Sequence, residues 1–198
     1  MSASQHNDDT HNEDAELVAR MQRGDDQAME MLYLRYYPAL LRFAGSLVRS
    51  YDLAEEIVQD TFLALWARRQ ETGIRGNVRA YLYASVRNRA LQLLQHQQVV
   101  QRTEAEILRE DSVIAVARGP TGADTIVEAN ELAARVMRVI AAMPERRRVA
   151  LILRWRHQLS HAEIAEIMGT TVGAVTTQIS RARDTIEALV AAYKKGLP

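Results

Sequence analysis

Residues 159–183 have the sequence LSHAEIAEIMGTTVGAVTTQISRAR, which predicts two short helices joined by a tight turn. Ser160 followed by Glu163 is a capping box, in which each side chain can bond a backbone N–H at the start of a helix. Gly169 is placed to end that helix in the left-handed geometry that glycine tolerates, and Thr171 is placed to cap the next one. The stretch therefore has the form of a helix-turn-helix, the motif that places its second helix in a DNA major groove.

The second helix of this motif carries few charges near its start. Thr176, Thr177 and Gln178 can bond base edges and phosphates, whereas Arg181 and Arg183 follow only later. The predicted duplex contacts are Arg154, Ser160, Thr171, Thr176, Thr177, Gln178, Arg181 and Arg183. If the three arginines each met one phosphate, the salt slope would be only about minus three in logarithmic units. We therefore expect weak DNA binding by this helix alone, and a helical hairpin with no DNA role is the alternative interpretation.

The charge composition excludes DNA attraction by the molecule as a whole. The 25 basic residues balance 25 acidic residues, so the net charge is zero and no overall field attracts nucleic acid. No acidic residue occurs over residues 72–103, however, which predicts a local basic surface. The lack of cysteine excludes disulfides, thiolate nucleophiles and cysteine zinc sites. The sequence has neither a secretory signal nor a long apolar run, which favours a cytoplasmic location.

Helical periodicity dominates the chain, and alternation typical of strands is nowhere sustained. Asp52 with Glu55 has the form of a helix start, and Asn77 is placed to cap another helix. We therefore predict an all-α fold of two small helical domains, each of about four helices, joined by a flexible linker. The predicted parts are a disordered leader at 1–12, a helical bundle at 13–96, a linker at 97–124 and a second helical domain at 125–198.

The acid-free stretch combines arginines with aromatic residues. Bases of single-stranded DNA stack on rings such as those of Tyr81 and Tyr83, while nearby cations meet the phosphates. The predicted contacts are Asn77, Arg79, Tyr81, Arg87, Asn88 and Arg89. An alternative interpretation places Tyr81, Leu82 and Val86 in the core.

Residues 52–69 predict an amphipathic helix with an acidic edge. Its polar edge consists of Asp52, Glu55, Glu56, Gln59 and Asp60, and its apolar side contains Phe62, Leu65 and Trp66. An acidic edge disfavours DNA and suits a basic protein partner with aromatic anchoring. The alternative is a solvated acidic face above a stripe of core residues, which applies above all to Phe62.

Three stretches of the chain occur together in the order of a known family. They are YDLAEEIVQDTFLALWARR at 51–69, GNVRAYLYASVRNRALQLLQ at 76–95 and MPERRRVALILRWRHQLSHAEIAEIMGTTVGAVTTQISRAR at 143–183. The chain thereby resembles an extracytoplasmic-function (ECF) sigma factor of the sigma-70 family, with sigma region 2 at 13–96 and sigma region 4 at 125–198. Gln92, the QHQQ run that starts at Gln95, and Thr176 after the central valine depart from the family pattern toward weaker phosphate attraction.

The resemblance implies partners and a division of roles. The acidic edge would dock on the beta-prime clamp helices of core RNA polymerase, with the beta flap as a further contact. The acid-free stretch would hold melted promoter DNA at the −10 element, and the helix-turn-helix would recognise the −35 duplex. The resemblance further implies an anti-sigma factor, which could hold the protein near the membrane. It implies no enzymatic activity and no cofactor.

Other protein classes make different predictions. A helix-turn-helix regulator of the LuxR type would act without docking on core polymerase and would have an N-terminal domain with strands. A metal site could use His157 and His161, but Ser160 caps a new helix between them, which favours ordinary surface histidines. A helical interaction protein that has lost promoter recognition remains open because of the glutamine-rich QLLQHQQ at 92–98.

Overall fold

The described residues of a computed structural model, 2–48, 50–70, 77–107 and 124–195, form eight helices and no strand, which confirms the all-α prediction. The chain divides into two compact units, one of residues 1–104 with 166–168 and the other of residues 105–165 with 169–198. The first half contains α1 (Ser2–Gln22), α2 (Asp26–Val48), α3 (Tyr51–Ala67) and α4 (Val78–Ile107). The second half contains α5 (Asp124–Ala142), α6 (Glu145–Trp155), α7 (His161–Met168) and α8 (Val172–Lys194).

Two of the predicted segments differ from the structure in their secondary structure. Helix α1 starts at Ser2, so the polar leader predicted as disordered is helical from that residue. Helix α4 continues to Ile107, past the predicted start of the linker at residue 97. In both places the polar residues extend a helix that is already formed. Extension costs less free energy than starting a separate helix, because only the first turn has to be nucleated. Residues 108–123 of the predicted linker lie outside the described residues.

The core of the first unit comes from one apolar side of each helix, as the three- and four-residue periodicity predicts. Its fully or nearly fully buried side chains include Leu17, Met21, Leu32, Leu40, Phe43, Val58, Phe62, Leu65, Leu82, Tyr83 and Val86. The rings of Phe43 and Tyr83 pack with their centroids 5.2 Å apart and thereby join α2 to α4.

A buried carboxylate attaches α1 to α2. Asp14 accepts a hydrogen bond of 2.6 Å from Arg35 Nη1 and a further bond from the Tyr36 hydroxyl. Burial, and then the bond to Asp14, raise the pKa of Tyr36, which therefore stays a protonated donor. These two bonds supply hydrogen-bond partners for the buried carboxylate and fix the register between the two helices.

The turn between α1 and α2 is closed by Gly24 and Asp25. Gly24 has a φ of +90°, and the Asp25 N–H donates to the Arg20 carbonyl at 3.2 Å, as in a Schellman motif. The Asp25 carboxylate then accepts from the backbone N–H of Gln27 at 3.0 Å and of Ala28 at 3.2 Å. Asp25 is therefore the N-cap of α2, a role that the sequence analysis did not assign.

The second unit has its own core. Met143, Leu151, Ala182 and Ile186 are buried together, with Val136, Val139, Ile140 and Val190 packed around them. This cluster joins α5, α6 and α8. It holds α8 through its Ala182 and Ile186 side, so that the opposite side of α8 faces outward.

Candidate functional site

Helix α3 divides its eight predicted docking residues between surface and core. Asp52, Glu56, Gln59 and Asp60 are exposed, while Glu55 and Trp66 are half-buried. Phe62 is only 3% exposed and Leu65 is 0% exposed. Both belong to the core of the first unit, so the prediction that Leu65 contacts a partner is wrong, and Phe62 follows the alternative interpretation.

A groove of about 480 Å³ lies between α2 and α3. Its lining consists of Asp26, Met29, Tyr33, Gln59, Phe62, Leu63 and Trp66. Leu63 is 66% exposed, although it is a large apolar side chain, and the sequence analysis missed it. The sequence spacing could have identified Leu63. Gln59, Leu63 and Trp66 are four and three residues apart and therefore share one face of α3.

An aromatic stack forms one side of this groove. The ring centroids of Tyr33 and Tyr37 are 4.7 Å apart, and those of Tyr33 and Phe62 are 4.9 Å apart. The Tyr37 hydroxyl donates to Glu55 Oε1 at 3.0 Å. Burial, and then this hydrogen bond, raise the pKa of Tyr37 to about 12. Glu55 therefore ties α3 to α2, in addition to its place on the acidic edge.

Cations cover parts of the surface of α3. The Arg69 guanidinium lies 4.1 Å from the centroid of the Trp66 ring, and its Nη1 donates to the Trp66 carbonyl at 2.9 Å. Arg89 on α4 forms an ion pair of 3.2 Å with Asp60 on α3. The pair connects the predicted docking edge with the predicted single-strand surface, so those two surfaces are adjacent in the first unit.

The predicted single-strand contacts on α4 and at its cap are all at least partly exposed. Asn88 is exposed, and Asn77, Arg79, Tyr81, Arg87 and Arg89 are half-buried. The Asn77 side chain accepts the N–H of Ala80 at 3.3 Å, which confirms its capping role. Tyr83 is 2% exposed, and Leu82 and Val86 are 0% exposed. Tyr83 therefore cannot stack on a base in this conformation, and Tyr81 remains as the aromatic candidate.

The helix-turn-helix begins with the predicted capping box. Glu163 Oε2 accepts from the Ser160 backbone N–H and from the Ser160 hydroxyl, both at 2.8 Å. The Ser160 oxygen in turn accepts the Glu163 N–H at 3.2 Å. The Ser160 hydroxyl thus donates to the Glu163 carboxylate and accepts the Glu163 N–H. Ser160 therefore caps the start of α7, independently of any contact with DNA.

The turn between α7 and α8 also has the predicted geometry. Gly169 has a φ of +59°, and the N–H of Thr170 donates to the Ala165 carbonyl at 2.9 Å, which is the long bond of a Schellman motif. Thr171 Oγ1 accepts the N–H of Ala174 at 3.2 Å and caps α8. Val175 is 0% exposed and anchors the first turns of α8.

The outer side of α8 displays the predicted duplex contacts. Thr176, Thr177, Arg181 and Arg183 are exposed, and Gln178 is half-buried. The hydroxyls of Thr176 and Thr177 lie within donor distance of the carbonyls four residues earlier, at 2.9 and 3.0 Å. Arg183 Nε lies 3.5 Å from a Glu187 carboxylate oxygen on the next turn.

Arg154 and two histidines surround the start of this motif. Arg154 is exposed, and its Nη1 donates to the Leu159 carbonyl at 3.0 Å, so it also closes the connection between α6 and α7. His157 is only 8% exposed, which contradicts its interpretation as a surface histidine. His161 is half-buried, and its Nδ1 lies 3.0 Å from Thr176 Oγ1. Within the described residues, no group of three His, Asp or Glu side chains could hold a metal ion.

None of the described helices is long and apolar enough to span a membrane.

Comparison with known proteins decides the family. Residues 32–99 match the protein family sigma-70 region 2. Residues 133–186 match the family sigma-70, region 4. The ECF RNA polymerase sigma-E factor of Salmonella typhimurium is 32% identical over 182 residues, which cover 88% of this chain and 92% of the relative. The chain belongs to the ECF sigma factors of the sigma-70 family. As an ECF sigma factor, it binds RNA polymerase and gives the polymerase promoter specificity.

Further comparisons agree with this assignment. The RNA polymerase sigma-H factor of Pseudomonas aeruginosa is 31% identical over 186 residues, or 90% of this sigma factor and 94% of the relative. The structure of CnrH in complex with the cytosolic domain of CnrY has the same fold, with a TM-score of 0.66 and 24% identity over 91% of this chain and 98% of CnrH. The sigma factor RpoE of Bartonella quintana, solved with the anti-sigma factor NepR, has a TM-score of 0.59 and 25% identity over 82% and 96% of the two chains.

The family assignment removes the LuxR-type alternative. That class was expected to have a strand-containing domain in the N-terminal half, whereas sigma-70 region 2 matches there and the described residues of that half contain no strand. Sigma factors as a family are non-enzymatic factors of transcription initiation.

Proposed function

We propose that the groove between α2 and α3 is the surface by which this sigma factor docks on core RNA polymerase. The observation that carries the proposal is the position of Leu63 and Trp66, two large apolar side chains at the groove, next to the exposed carboxylate of Asp60. An apolar anchor with an acidic rim fits a basic partner helix with apolar residues along one side. The beta-prime clamp helices of the polymerase are the partner that the family implies, and the beta flap is a further contact for the second unit.

The docking proposal is tested by binding of purified core polymerase to two matched variants. Leu63→Glu places a charge in the groove, and Leu34→Glu makes the same change on α2 at a residue of equal exposure outside the groove lining. We expect Leu63→Glu to weaken the complex about tenfold or more, as loss of an interface anchor does, and Leu34→Glu to bind like the unaltered protein. Equal binding by both variants would move the docking surface away from this groove.

For α4 we propose contact with the melted −10 element. Tyr81 supplies a partly exposed ring, and Asn88 lies two turns further along the same side of α4. Arg79 and Arg87 supply cations elsewhere on the same helix. Single strands bind to surfaces that combine stacking with cations. Potassium permanganate footprinting of the holoenzyme on a promoter reports unpaired thymines, and we expect Tyr81→Ala to reduce them while leaving polymerase docking unchanged.

For α8 we propose recognition of the −35 duplex by the exposed side chains of its first three turns. Thr176, Thr177 and Arg181 can reach base edges or phosphates when α8 enters the major groove. Arg183 and Arg154 already have a protein partner each, at 3.5 and 3.0 Å, which reduces what they offer to phosphates. Selection of active promoters from a library with a randomised −35 element tests this role. A library that is transcribed without any −35 preference would refute it.

An anti-sigma factor that covers the same groove is the regulatory partner we propose. The support is the likeness to RpoE, which was solved with the anti-sigma factor NepR. An apolar groove occupied by an anti-sigma helix is closed to the polymerase, so the two partners would compete. We propose that the protein acts in the bacterial cytoplasm, without a cofactor and without covalent chemistry, and that a membrane-bound anti-sigma factor would hold it at the membrane.

A further inference from the structure

A contact between the two helices of the helix-turn-helix involves a residue that the proposed DNA contacts do not include. His161 lies in the first turn of α7, and its Nδ1 is 3.0 Å from Oγ1 of Thr176 on α8. The same Thr176 oxygen is 2.9 Å from the carbonyl of Val172. Thr176 is exposed and His161 is half-buried, so the contact lies at the surface where α8 would meet DNA.

Proton counting limits what Thr176 can offer to a base. A hydroxyl has one proton and two acceptor lone pairs. If the proton goes to the Val172 carbonyl, Thr176 Oγ1 accepts from a protonated His161 Nδ1, and one lone pair is left. If the proton goes to an unprotonated Nδ1, both lone pairs are left. In both arrangements the hydroxyl proton is used inside the protein. In a third arrangement Nδ1–H donates to Oγ1 while the hydroxyl proton points outward, but it lacks the bond to Val172. Because the structure has the Thr176 hydroxyl donating to the Val172 carbonyl at 2.9 Å, Thr176 faces outward as an acceptor.

We propose that His161 is a positioning residue that fixes Thr176 as a hydrogen-bond acceptor toward the −35 element. In the major groove, adenine N6 and cytosine N4 donate, whereas guanine presents the two acceptors N7 and O6. At the base nearest Thr176, His161 therefore favours adenine or cytosine and disfavours guanine and thymine, because thymine O4 is also an acceptor. The inference rests on the proposed −35 role of α8 and adds a specificity determinant to it.

Thr177 provides the matched comparison. It is the next residue on α8, it is exposed, and its hydroxyl makes the same kind of bond to a carbonyl four residues earlier, at 3.0 Å to Gly173. The contact with His161 belongs to Thr176. An effect of His161 on the hydroxyl chemistry of α8 should therefore reach Thr176 and leave Thr177 unchanged.

The test uses the holoenzyme formed with core polymerase and a promoter library with all four bases at each −35 position. Transcription is compared for the unaltered protein, His161→Ala, Thr176→Val and the double variant. The control is Thr185→Val, which removes an α8 hydroxyl that donates to a carbonyl four residues earlier, at 2.8 Å, and is not among the proposed DNA contacts. Thermal unfolding checks folding. We expect one position at which guanine is disfavoured, and His161→Ala and Thr176→Val should each reduce that discrimination about 3- to 10-fold, the range for one hydrogen bond. The double variant should show no further loss, because both changes remove one interaction.

A conservative variant separates positioning from simple support of the fold. His161→Asn keeps a short side chain with both a donor and an acceptor, and we expect it to restore the discrimination against guanine. The inference is overturned if the losses from His161→Ala and Thr176→Val multiply, if they fall at different promoter positions, or if His161→Asn behaves like His161→Ala. An unaltered holoenzyme that transcribes the library without −35 preference would instead refute the proposed role of α8 itself.

Discussion

Leu63 and Leu65 are two residues apart on α3 and have opposite surroundings. Leu65 is 0% exposed within the core of the first unit, while Leu63 is 66% exposed at the groove. Residues two apart in a helix differ by about 200° around its axis, so their identical side chains serve different purposes. Burial decides which of the two stabilises the fold and which is available to a partner.

This difference predicts the outcome of two alanine substitutions. Leu65→Ala should lower the free energy of unfolding by about 2 to 5 kcal/mol, because it removes a buried side chain and leaves a cavity. Leu63→Ala should change it by no more than about 0.5 kcal/mol, as is usual at an exposed position. Urea unfolding followed by circular dichroism measures both. Equal losses for the two variants would mean that Leu63 is packed in solution.

Asp25 makes a pH-dependent contribution at the start of α2. Arg20 Nε donates to its carboxylate at 2.8 Å, and this hydrogen bond holds the pKa of Asp25 below its ordinary value of 3.8. The stabilisation from the charged form is therefore complete above that ordinary value and is lost as the pH falls through the lowered pKa of the folded protein.

Asp25→Asn isolates this contribution, because asparagine caps a helix about as well as aspartate but cannot pair with Arg20 as an anion. We expect the variant to unfold more easily than the unaltered protein at about pH 6, and the difference to shrink as the pH falls through the lowered pKa of Asp25, where both side chains become neutral. Urea unfolding over a pH series gives the comparison. A difference that persists undiminished in acid would assign the stabilisation to something other than the charge.

At the scale of the element, the helix-turn-helix was predictable because its signals are local. The capping box of Ser160 and Glu163, the left-handed Gly169 and the Thr171 cap each depend on residues within one turn of the helix. Packing is not local in this sense. Which apolar residue on α3 or α4 is buried depends on helices far away in sequence. Leu65 and Tyr83 were therefore predicted as surface contacts, whereas both are buried in the core.

Helix ends and tertiary contacts were also missed for physical reasons. The start of α1 and the end of α4 have no sequence signal of their own, because a formed helix can extend through polar residues at little cost. The groove needed both Met29 of α2 and Leu63 of α3, and the angle between these helices is set by their packing and is not visible in either sequence stretch. The acidic edge was predictable, whereas its bond from Tyr37 to Glu55 was not.

Two glycines of the helix-turn-helix should respond oppositely to alanine. Gly169 has a φ of +59° with no atom within 4 Å of an added Cβ, so Gly169→Ala should cost about 1 to 2 kcal/mol of unfolding free energy from the backbone alone. Gly173 lies inside α8, also with open space around it, and Gly173→Ala should stabilise by up to about 1 kcal/mol. Thermal unfolding of the two variants under one condition tests both signs together. A stable Gly169→Ala variant would mean that the turn does not need the left-handed geometry.

The whole molecule has no net charge, so its contacts with DNA depend on where the charges lie. Acidic residues concentrate on the exposed edge of α3, and arginines on α4 and on the outer side of α8. Each surface alone offers few ionic contacts. Two weak DNA contacts carried by one polymerase-bound molecule gain affinity from their effective concentration, since the second binding step becomes intramolecular. A sigma factor of this composition should therefore bind promoters as part of the holoenzyme and bind them poorly alone.

The salt dependence of holoenzyme binding measures the share of α8 in this arrangement. Arg181 is exposed on α8, and each arginine-phosphate contact contributes about 0.9 to the slope of log affinity against log salt. Arg181→Ala should therefore weaken binding to a promoter duplex and reduce the slope by about 0.9, while Arg138→Ala, which removes an exposed arginine from α5, should leave it unchanged. Fluorescence anisotropy of a labelled −35 duplex at increasing potassium chloride gives both slopes. A loss of affinity with an unchanged slope would assign Arg181 to a contact other than a phosphate, and equal slope changes in both variants would show that the effect comes from overall charge and not from the position of α8 on the DNA.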